Sequence, residues 1–311
     1  MKAVVLGAFD EAPSITELDV PAPEEGEIRV RVRAASVNGF DLAVANGYMN
    51  GMMEHRFPVV LGKDFAGTVD AVGDGVEGFA VGDRVFGVVT KPFLGDGSFA
   101  EFVTVPVSVG VAKIPQALDF AEAAALGLAG TAAVMAFDAA DIQQGHTVLI
   151  TGATGGVGNQ ALQLAVQAGA TVIATASSVD EVAQVTDAGA DLVVDYKGDV
   201  AAQVHATYPA GVDVVLHFAG DPASLVGVIK PGGRLVSTLV QSPEQVPAEG
   251  ITVVPVYANP TGETLDRLAR NQRDKHTTVT IQSVFTLEET PKALGQFAEG
   301  TLGKLVISIS N

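Results

Sequence analysis

The feature that most constrains the fold is a glycine-rich turn at residues 152–158, which joins an apolar strand pattern at 148–150 to a helical pattern. Closely spaced glycines allow a backbone to turn tightly and to approach a pyrophosphate group. The helix that follows offers free backbone N–H groups and the positive end of its dipole. The turn therefore predicts a dinucleotide site. The residues expected to form it are Gly152, Thr154, Gly155, Gly156, Val157 and Gly158.

Strand and helix patterns alternate after residue 118, which predicts a doubly wound parallel sheet. The candidate strands are residues 148–150, 172–174, 192–194, 214–216, 235–237 and 251–256. Earlier residues show short β patterns broken by Gly, Pro and Asp, and the regular alternation fades again after residue 260. We therefore expect an α/β protein with a doubly wound Rossmann domain at 119–259 and a β-rich domain built from 1–118 and 260–311.

Charge and composition exclude several classes of protein. The net charge of −18 disfavours binding to nucleic acid or to an anionic membrane surface. The absence of cysteine excludes disulfides and thiolate metal sites. Residues 147–179 carry no charge, but their glycines and amide side chains favour buried strand, turn and helix over a membrane span. The N-terminal apolar run is too short for a secretory signal, so we expect a cytoplasmic protein.

The end of the second strand of the doubly wound sheet predicts the choice of nicotinamide coenzyme. NAD sites usually place an acidic residue there, which binds the ribose 2′-hydroxyl. This chain has Ser177, whose hydroxyl can donate to a 2′-phosphate, so NADP(H) is favoured over NAD(H). Asp180 and Glu181 oppose this choice, because their charge would repel a phosphate.

Taken together, these features resemble the medium-chain dehydrogenase/reductase superfamily, and within it the zinc-free NADPH:quinone oxidoreductase branch. The resemblance implies that the β-rich part is a GroES-like catalytic domain. Its landmarks follow one another along nearly the whole chain. They are residues 1–4, 35–38, 58–67, 82–87, 97–102, the glycine turn and residues 303–307.

The resemblance also implies a reaction without a catalytic metal. Zinc-dependent members carry a cysteine where this chain has Asn38, and a histidine where it has Lys63. Neither residue can replace those zinc ligands. The expected activity is hydride transfer from NADPH to a hydrophobic acceptor that is already electrophilic, namely a quinone. The alternatives are an enoyl or alkenal C=C reductase of the same superfamily and a low-turnover dinucleotide-binding sensor.

Further site residues are expected only by this resemblance. Asn38, Asp41 and Tyr48 would be catalytic, with Thr131 near the nicotinamide. Ser177, Ser178 and Tyr196 would bind the adenosine phosphate, and Phe218 and Ala219 would line the coenzyme after the fourth strand. Each has a structural alternative. Asn38 and Asp41 would equally suit a helix cap, Thr131 a helix hydroxyl, and Tyr196 a packed aromatic side chain.

Four other features carry weaker expectations. Lys63 and Asp64 are expected to form an ion pair, with a catalytic role as the alternative. His217 is expected to be a buried, hydrogen-bonded histidine or a ribose contact. Three methionines at positions 49, 52 and 53 suggest a pocket for flat apolar acceptors or the filling of a local gap. Residues 251–256 would form an edge strand that pairs across a two-fold axis in a homodimer.

Overall fold

A computed structural model describes residues 1–9 and 11–310, which divide into two compact units. The first unit comprises Met1–Ala129, Asn259–Arg273 and the chain from Ile281 onward. The second comprises Gly130–Ala258 and Asp274–Thr280. Compared with the predicted domains, residues 119–129 and residue 259 belong to the first unit, and residues 274–280 belong to the second.

The elements follow in chain order. The N-terminal part contains β1 (Lys2–Leu6), β2 (Ser14–Glu17), β3 (Glu27–Ser36), α1 (Gly39–Ala45), β4 (Glu54–His55), β5 (Val59–Val60), β6 (Asp64–Val72), β7 (Arg84–Val88), β8 (Phe93–Leu94), β9 (Phe102–Pro106), β10 (Val111–Lys113) and α2 (Phe120–Ala140). The middle part contains β11 (Thr147–Thr151), α3 (Gly156–Gln167), β12 (Thr171–Thr175), α4 (Val179–Asp187), β13 (Leu192–Val194), α5 (Val200–Thr207), β14 (Val212–His217), β15 (Ile229–Ser237) and β16 (Thr252–Pro255). The last part contains α6 (Gly262–Arg273), β17 (Ile281–Thr286), α7 (Thr290–Glu299) and β18 (Lys304–Ser308). Short 3₁₀ helices cover Pro222–Val228, Pro243–Gln245 and Leu287–Glu289.

The second unit is built on a six-stranded sheet in the order β13-β12-β11-β14-β15-β16, with every pair parallel. This is the strand order of a Rossmann fold. Val148 and Ile150 pack into one apolar cluster and Leu149 into another, so the sheet is covered on both faces. Burial on both faces explains why the central residues of β11 and β12 are apolar. The predicted α/β class and doubly wound sheet are confirmed.

The first unit is built on a seven-stranded sheet that combines distant segments of the chain. Its order is β10-β7-β6-β3-β18-β17, and β9 also pairs with β3. The C-terminal strand β18 lies antiparallel to β3, with Val306 opposite Ser36. Large apolar side chains such as Ile28, Phe65 and Phe99 are fully buried beneath these strands. This strand pairing brings Ser36, Asp64 and Lys304 close together.

Helix α2 is long and apolar enough to cross a membrane by length and composition alone. However, 67% of its most apolar stretch is buried within the protein. Its alanine-rich sequence, which includes Ala123, Ala124, Ala133 and Ala136, therefore forms part of the core.

Candidate functional site

The glycine turn forms a cradle between β11 and α3. Gly152 has a φ of 65°, in the left-handed region that favours glycine. The N–H of Gly155 donates to the carbonyl oxygen of Gly152 at 3.2 Å, which closes the turn. A Cβ on Gly158 would overlap that same carbonyl oxygen, so the helix can approach the turn only with glycine there.

The N-terminus of α3 is suited to an anion. The first N–H groups of a helix have no acceptor within the helix, and the N-cap residue Gly155 has no side chain to satisfy them. The turn and these N–H groups therefore fit the pyrophosphate of a dinucleotide. Thr154 is held in this turn by its carbonyl oxygen, which accepts from Gln184 Nε2 at 3.2 Å. Val157 packs, partly buried, against the apolar core of the second unit.

Two threonine hydroxyls fix the neighbouring strand ends beside the turn. Thr151 Oγ1 accepts from the N–H groups of Phe218, at 3.3 Å, and of Ala219, at 3.4 Å. Thr175 Oγ1 accepts from the N–H of Gly152 at 3.2 Å. The structure thus brings Phe218 and Ala219 next to the glycine turn, and their contact with the coenzyme stays a prediction.

His217, at the end of β14, is a buried, hydrogen-bonded histidine. Its Nδ1 lies 2.9 Å from Ser237 Oγ, and its Nε2 lies 3.1 Å from the carbonyl oxygen of Gly220. Burial lowers its pKa, which favours the neutral imidazole. The structural alternative for His217 is therefore confirmed.

The residues expected at the adenosine phosphate surround the carboxylate of Glu181. Its Oε2 accepts from the N–H groups of Ser177, at 2.7 Å, and of Ser178, at 2.8 Å. Its Oε1 accepts from the Tyr196 hydroxyl at 3.1 Å. Ser178 Oγ accepts in return from the Glu181 N–H at 3.2 Å, which caps α4. Burial raises the pKa of Glu181, but these hydrogen bonds outweigh it and the pKa is lowered overall. A carboxylate therefore occupies donors that an anionic ligand could use.

In the first unit, a buried carboxylate is the centre of a cluster that we call the Asp64 cluster: Ser36, Asn38, Asp64, the N–H of Leu128 and Lys304. Asp64 Oδ2 accepts from Ser36 Oγ at 2.6 Å and from Asn38 Nδ2 at 2.8 Å. Its Oδ1 accepts from the Leu128 N–H at 2.7 Å. A Cβ on Gly127 would overlap Asp64 Oδ1, so glycine at this point of α2 makes the contact possible.

Lys304 supplies the positive charge of the Asp64 cluster. Its Nζ donates to Asn38 Oδ1 at 2.6 Å and to the Val37 carbonyl oxygen at 2.9 Å, and lies 3.4 Å from Asp64 Oδ2. Lys304 lies in the landmark at residues 303–307, but the sequence alone assigns it no role at the site. The signal that could have found it is a lysine at the start of an otherwise apolar strand, since buried lysines are nearly always paired.

The predicted ion pair between Lys63 and Asp64 is wrong. Asp64 pairs with Lys304, while Lys63 Nζ donates to the carbonyl oxygen of Val89 at 2.8 Å and lies 4.9 Å from the centre of the Phe40 ring. The physical reason is that a fully buried carboxylate is better matched by the fully buried ammonium of Lys304.

Asn38 and Asp41 cap helix α1. The Asn38 N–H donates to Asp41 Oδ2 at 2.8 Å, and Asn38 has extended backbone angles at the N-cap position. Burial, followed by the charge of Asp64, raises the pKa of Asp41 to about 7. The capping alternative is confirmed for this pair, and a contact with the nicotinamide stays a prediction.

The remaining predicted residues differ widely in exposure. Tyr48 is 72% exposed, and Thr131 is wholly buried within α2. Met52 is 61% exposed, whereas Met49 and Met53 pack against the apolar core of the first unit. The gap-filling alternative therefore applies to two of the three methionines. Across residues 1–9 and 11–310, no group of three or more His, Cys, Asp or Glu side chains is arranged to hold a metal ion.

Two family models match the chain. Residues 24–116 match the alcohol dehydrogenase GroES-like domain, and residues 156–256 match the zinc-binding dehydrogenase family. The fold and the glycine cradle thus define an oxidoreductase with a nicotinamide dinucleotide as its coenzyme. The chain belongs to the medium-chain dehydrogenase/reductase superfamily, in its quinone oxidoreductase-like branch.

Curated relatives match over part of their length. The chain is 36% identical over 207 residues to the human synaptic vesicle membrane protein VAT-1 homolog-like, covering 63% of this chain and 48% of that protein. It is 37% identical to the chloroplast envelope quinone oxidoreductase homolog of Arabidopsis thaliana, covering 58% and 56%. It is 32% identical to acryloyl-coenzyme A reductase of Metallosphaera sedula, covering 62% and 64%. The chain thus spans about half to two thirds of the length of these relatives.

Solved structures match over the whole chain. AibC superposes with a TM-score of 0.87 at 30% identity, covering 100% of this chain and 96% of that one. The quinone oxidoreductase from Coxiella burnetii gives a TM-score of 0.89 at 26% identity, with 100% and 99% coverage. A mycobacterial protein solved in complex with NADPH gives 0.85 at 26% identity, with 99% and 100% coverage.

Proposed function

We propose that this chain is a zinc-independent, NADPH-dependent reductase that transfers hydride to a quinone. The observation that carries the proposal is the Asp64 cluster. At two positions where zinc-dependent relatives place metal ligands, this chain has the amide of Asn38 and the ammonium of Lys63. Both Nδ2 protons of Asn38 are donated within the cluster, to Asp64 and to the Ser36 carbonyl oxygen at 3.3 Å, and its Oδ1 accepts from Lys304. The side chain of Lys304 supplies the positive charge of the Asp64 cluster.

The second unit would hold the coenzyme. The glycine cradle and the N-terminus of α3 bind the pyrophosphate, and Phe218 and Ala219 line the turn beside it. When bound, the reduced nicotinamide supplies the hydride. The work left to the side chains is to orient the acceptor, to exclude water and to stabilise charge on its oxygen. An acceptor with a conjugated carbonyl needs no Lewis acid to be electrophilic.

The coenzyme proposed is NADP(H), because Ser177 stands where an NAD-specific acid is expected. Glu181 opposes this binding through its charge, although its Oε2 accepts from the N–H groups of Ser177 and Ser178 and its Oε1 from the Tyr196 hydroxyl. A 2′-phosphate would compete with this carboxylate for the same donors.

Binding of NADPH and NADH, measured by fluorescence titration, tests the choice of coenzyme. We expect NADPH to bind more tightly, and Glu181→Gln to tighten NADPH by about tenfold, equivalent to about 1.4 kcal/mol, with little effect on NADH. Asp187→Asn, at the opposite end of α4, removes the same charge and should leave both affinities unchanged. Tighter binding of NADH by the unaltered protein would overturn the assignment.

The acceptor class is tested by oxidation of NADPH with a panel of quinones, enones and enals, with the products identified. Relatives named as a quinone oxidoreductase homolog and as an acryloyl-coenzyme A reductase favour quinone reduction first and C=C reduction second. Quinone turnover that survives dialysis against a metal chelator is the expected result. Turnover confined to enones or enals would favour the second activity. Tight NADPH binding without turnover would identify a low-turnover binding protein.

A further inference from the structure

Lys63 carries a partly buried positive charge that no carboxylate neutralises directly. Among the residues that the structure describes, its Nζ has a carbonyl oxygen, that of Val89, as its hydrogen-bond acceptor, and an aromatic ring, that of Phe40, as its other close contact. No ion pair joins Lys63 to a described acidic residue.

Three other buried or partly buried lysines of this chain form ion pairs with carboxylates. Lys304 pairs with Asp64 at 3.4 Å, and Lys230 pairs with Asp213 at 2.8 Å. Lys91 contacts two carboxylates, at 2.6 and 2.9 Å. A charge held away from water without a partner raises the free energy of the folded state. Such groups are common at functional sites, where the charge is kept for a ligand.

The backbone holds Lys63 in a fixed position. Its carbonyl oxygen accepts from the Val89 N–H at 2.8 Å, while its Nζ donates to the Val89 carbonyl oxygen at 2.8 Å. Gly62, just before it, has a φ of 99°, and a Cβ there would collide with Phe99 and Ser98. The ammonium has three protons and one is donated to Val89. No described residue accepts a hydrogen bond from either of the other two.

Lys63 also lies against the ring of Phe40, which directly precedes Asp41, one of the residues expected to face the acceptor. Burial lowers its pKa, and the nearby carboxylates of Asp41 and Asp64 oppose that change by raising it. These are the charged groups that act on it. A cation shielded from water and next to carboxylates that are already hydrogen-bonded is well placed to act on a developing negative charge.

We propose that Lys63 is a catalytic residue that donates a proton to the carbonyl oxygen of the acceptor. This inference rests on the proposed function. The acceptor carbon gains a hydride from NADPH, which is left as NADP⁺. The displaced π-electron pair moves through the conjugated system to the acceptor oxygen. That oxygen takes one Nζ proton, and water returns a proton to the neutral amine. Quinones and enones share this oxygen, so the role of Lys63 holds for either acceptor.

The test compares Lys63→Met and Lys63→Arg, with Lys113→Met as the control, since Lys113 is an exposed lysine paired with Asp83 at 2.9 Å. The first measurement needs no coenzyme. The 4-nitrophenolate anion imitates the charged acceptor oxygen, and its binding is followed by its absorbance. We expect Lys63→Met to weaken this binding by about tenfold, and Lys63→Arg and Lys113→Met to retain it. Equal binding by the Lys63→Met variant and the unaltered protein would overturn the proposal.

The second measurement is the pH profile of quinone reduction. Lys63→Met should lower kcat/KM by about a hundredfold, the usual cost of losing one donor to an oxyanion. In the unaltered protein, kcat should fall at high pH as Lys63 loses its proton. A guanidinium keeps its charge and does not release its proton at these pH values. Lys63→Arg should therefore have a lowered kcat, from the loss of proton donation, and that low kcat should show no fall at high pH. An unchanged high-pH fall in the arginine variant would contradict the proposal even if the methionine variant failed to fold.

Failure of this inference can be distinguished from failure of the proposed function. If the unaltered protein binds NADPH but reduces no acceptor, the proposed function fails, whatever the Lys63 variants do. If the unaltered protein reduces quinones and Lys63→Met does so equally well, only the role of Lys63 fails.

Discussion

The buried carboxylate of Asp64 is stabilised by hydrogen bonds and an ion pair from several residues. Its two oxygens accept from a serine hydroxyl, an asparagine amide and a backbone N–H, and an ammonium lies beside them. Removing one member would leave its partners buried without compensation, at a cost of about 3–5 kcal/mol for a broken buried ion pair. Asn38 is part of this arrangement, so its substitution would alter the positions of its neighbours as well as any contact with a ligand.

Asp41 should make the stability of the protein depend on pH. Its pKa is raised from 3.8 to about 7, so between these values the folded state holds a proton that the unfolded state has released. The free energy of unfolding should therefore fall as pH rises through that window and level off above it. At about 1.4 kcal/mol for each pKa unit, the loss is about 4 kcal/mol.

Asp41→Asn tests this dependence, because the amide stays neutral and its oxygen can still accept from the Asn38 N–H. Urea unfolding from about pH 5 to about pH 8 should show a flatter profile for the variant than for the unaltered protein. Asp187→Asn, which removes an exposed carboxylate, should keep the original slope. The same slope in all three proteins would show that Asp41 ionises normally.

At the scale of elements, the sheet of the second unit could be predicted from the sequence, and the Asp64 cluster of the first unit could not. The predicted strands have apolar centres that differ in pattern from the helices between them, and the glycines of the turn mark a tight backbone conformation. These signals are local. Lys304 and Asp64 are 240 residues apart, and their contact exists only because β18 pairs with β3 beside β6. From the sequence alone, the neighbouring Lys63 is therefore the expected partner of Asp64.

Gly158→Ala should damage the turn. Its Cβ would overlap the backbone of Gly152 and Ala153, which cannot move as a flexible side chain can. We expect loss of NADPH binding by at least about a hundredfold, equivalent to about 2.8 kcal/mol, and a lower melting temperature. The matched control is Gly295→Ala in α7, where a Cβ meets no atom within 4 Å. That variant should bind normally and gain about 0.5–1 kcal/mol of stability. Normal binding by Gly158→Ala would contradict the cradle.

For the whole molecule, we propose a homodimer formed through β16. In the described chain this strand lies at the edge of the six-stranded sheet, next to β15, and an exposed edge favours pairing with another chain. Each copy carries a net charge of −18, so two copies repel each other. Salt screens this repulsion, with a Debye length of about 10 Å at 0.1 M.

Sedimentation equilibrium should therefore give twice the chain mass of 31.8 kDa, and added sodium chloride should tighten the association. Thr252→Asp, which adds like charge to an exposed position of β16, should weaken the dimer and increase its dependence on salt. A chain that stays at 31.8 kDa at high salt and high protein concentration would rule the dimer out.

The pairing of β18 with β3 has a consequence for the order in which the protein can be made. Synthesis proceeds from the N-terminus, and domains generally fold as units when their chain has emerged. The strands of the second unit are all complete by residue 255, so its sheet can form while the ribosome is still translating. The first unit starts earlier but finishes later, because Asp64 stays without its ammonium until residue 304 is added. The unit whose first strands come earlier in this chain is therefore the later of the two to reach its native state.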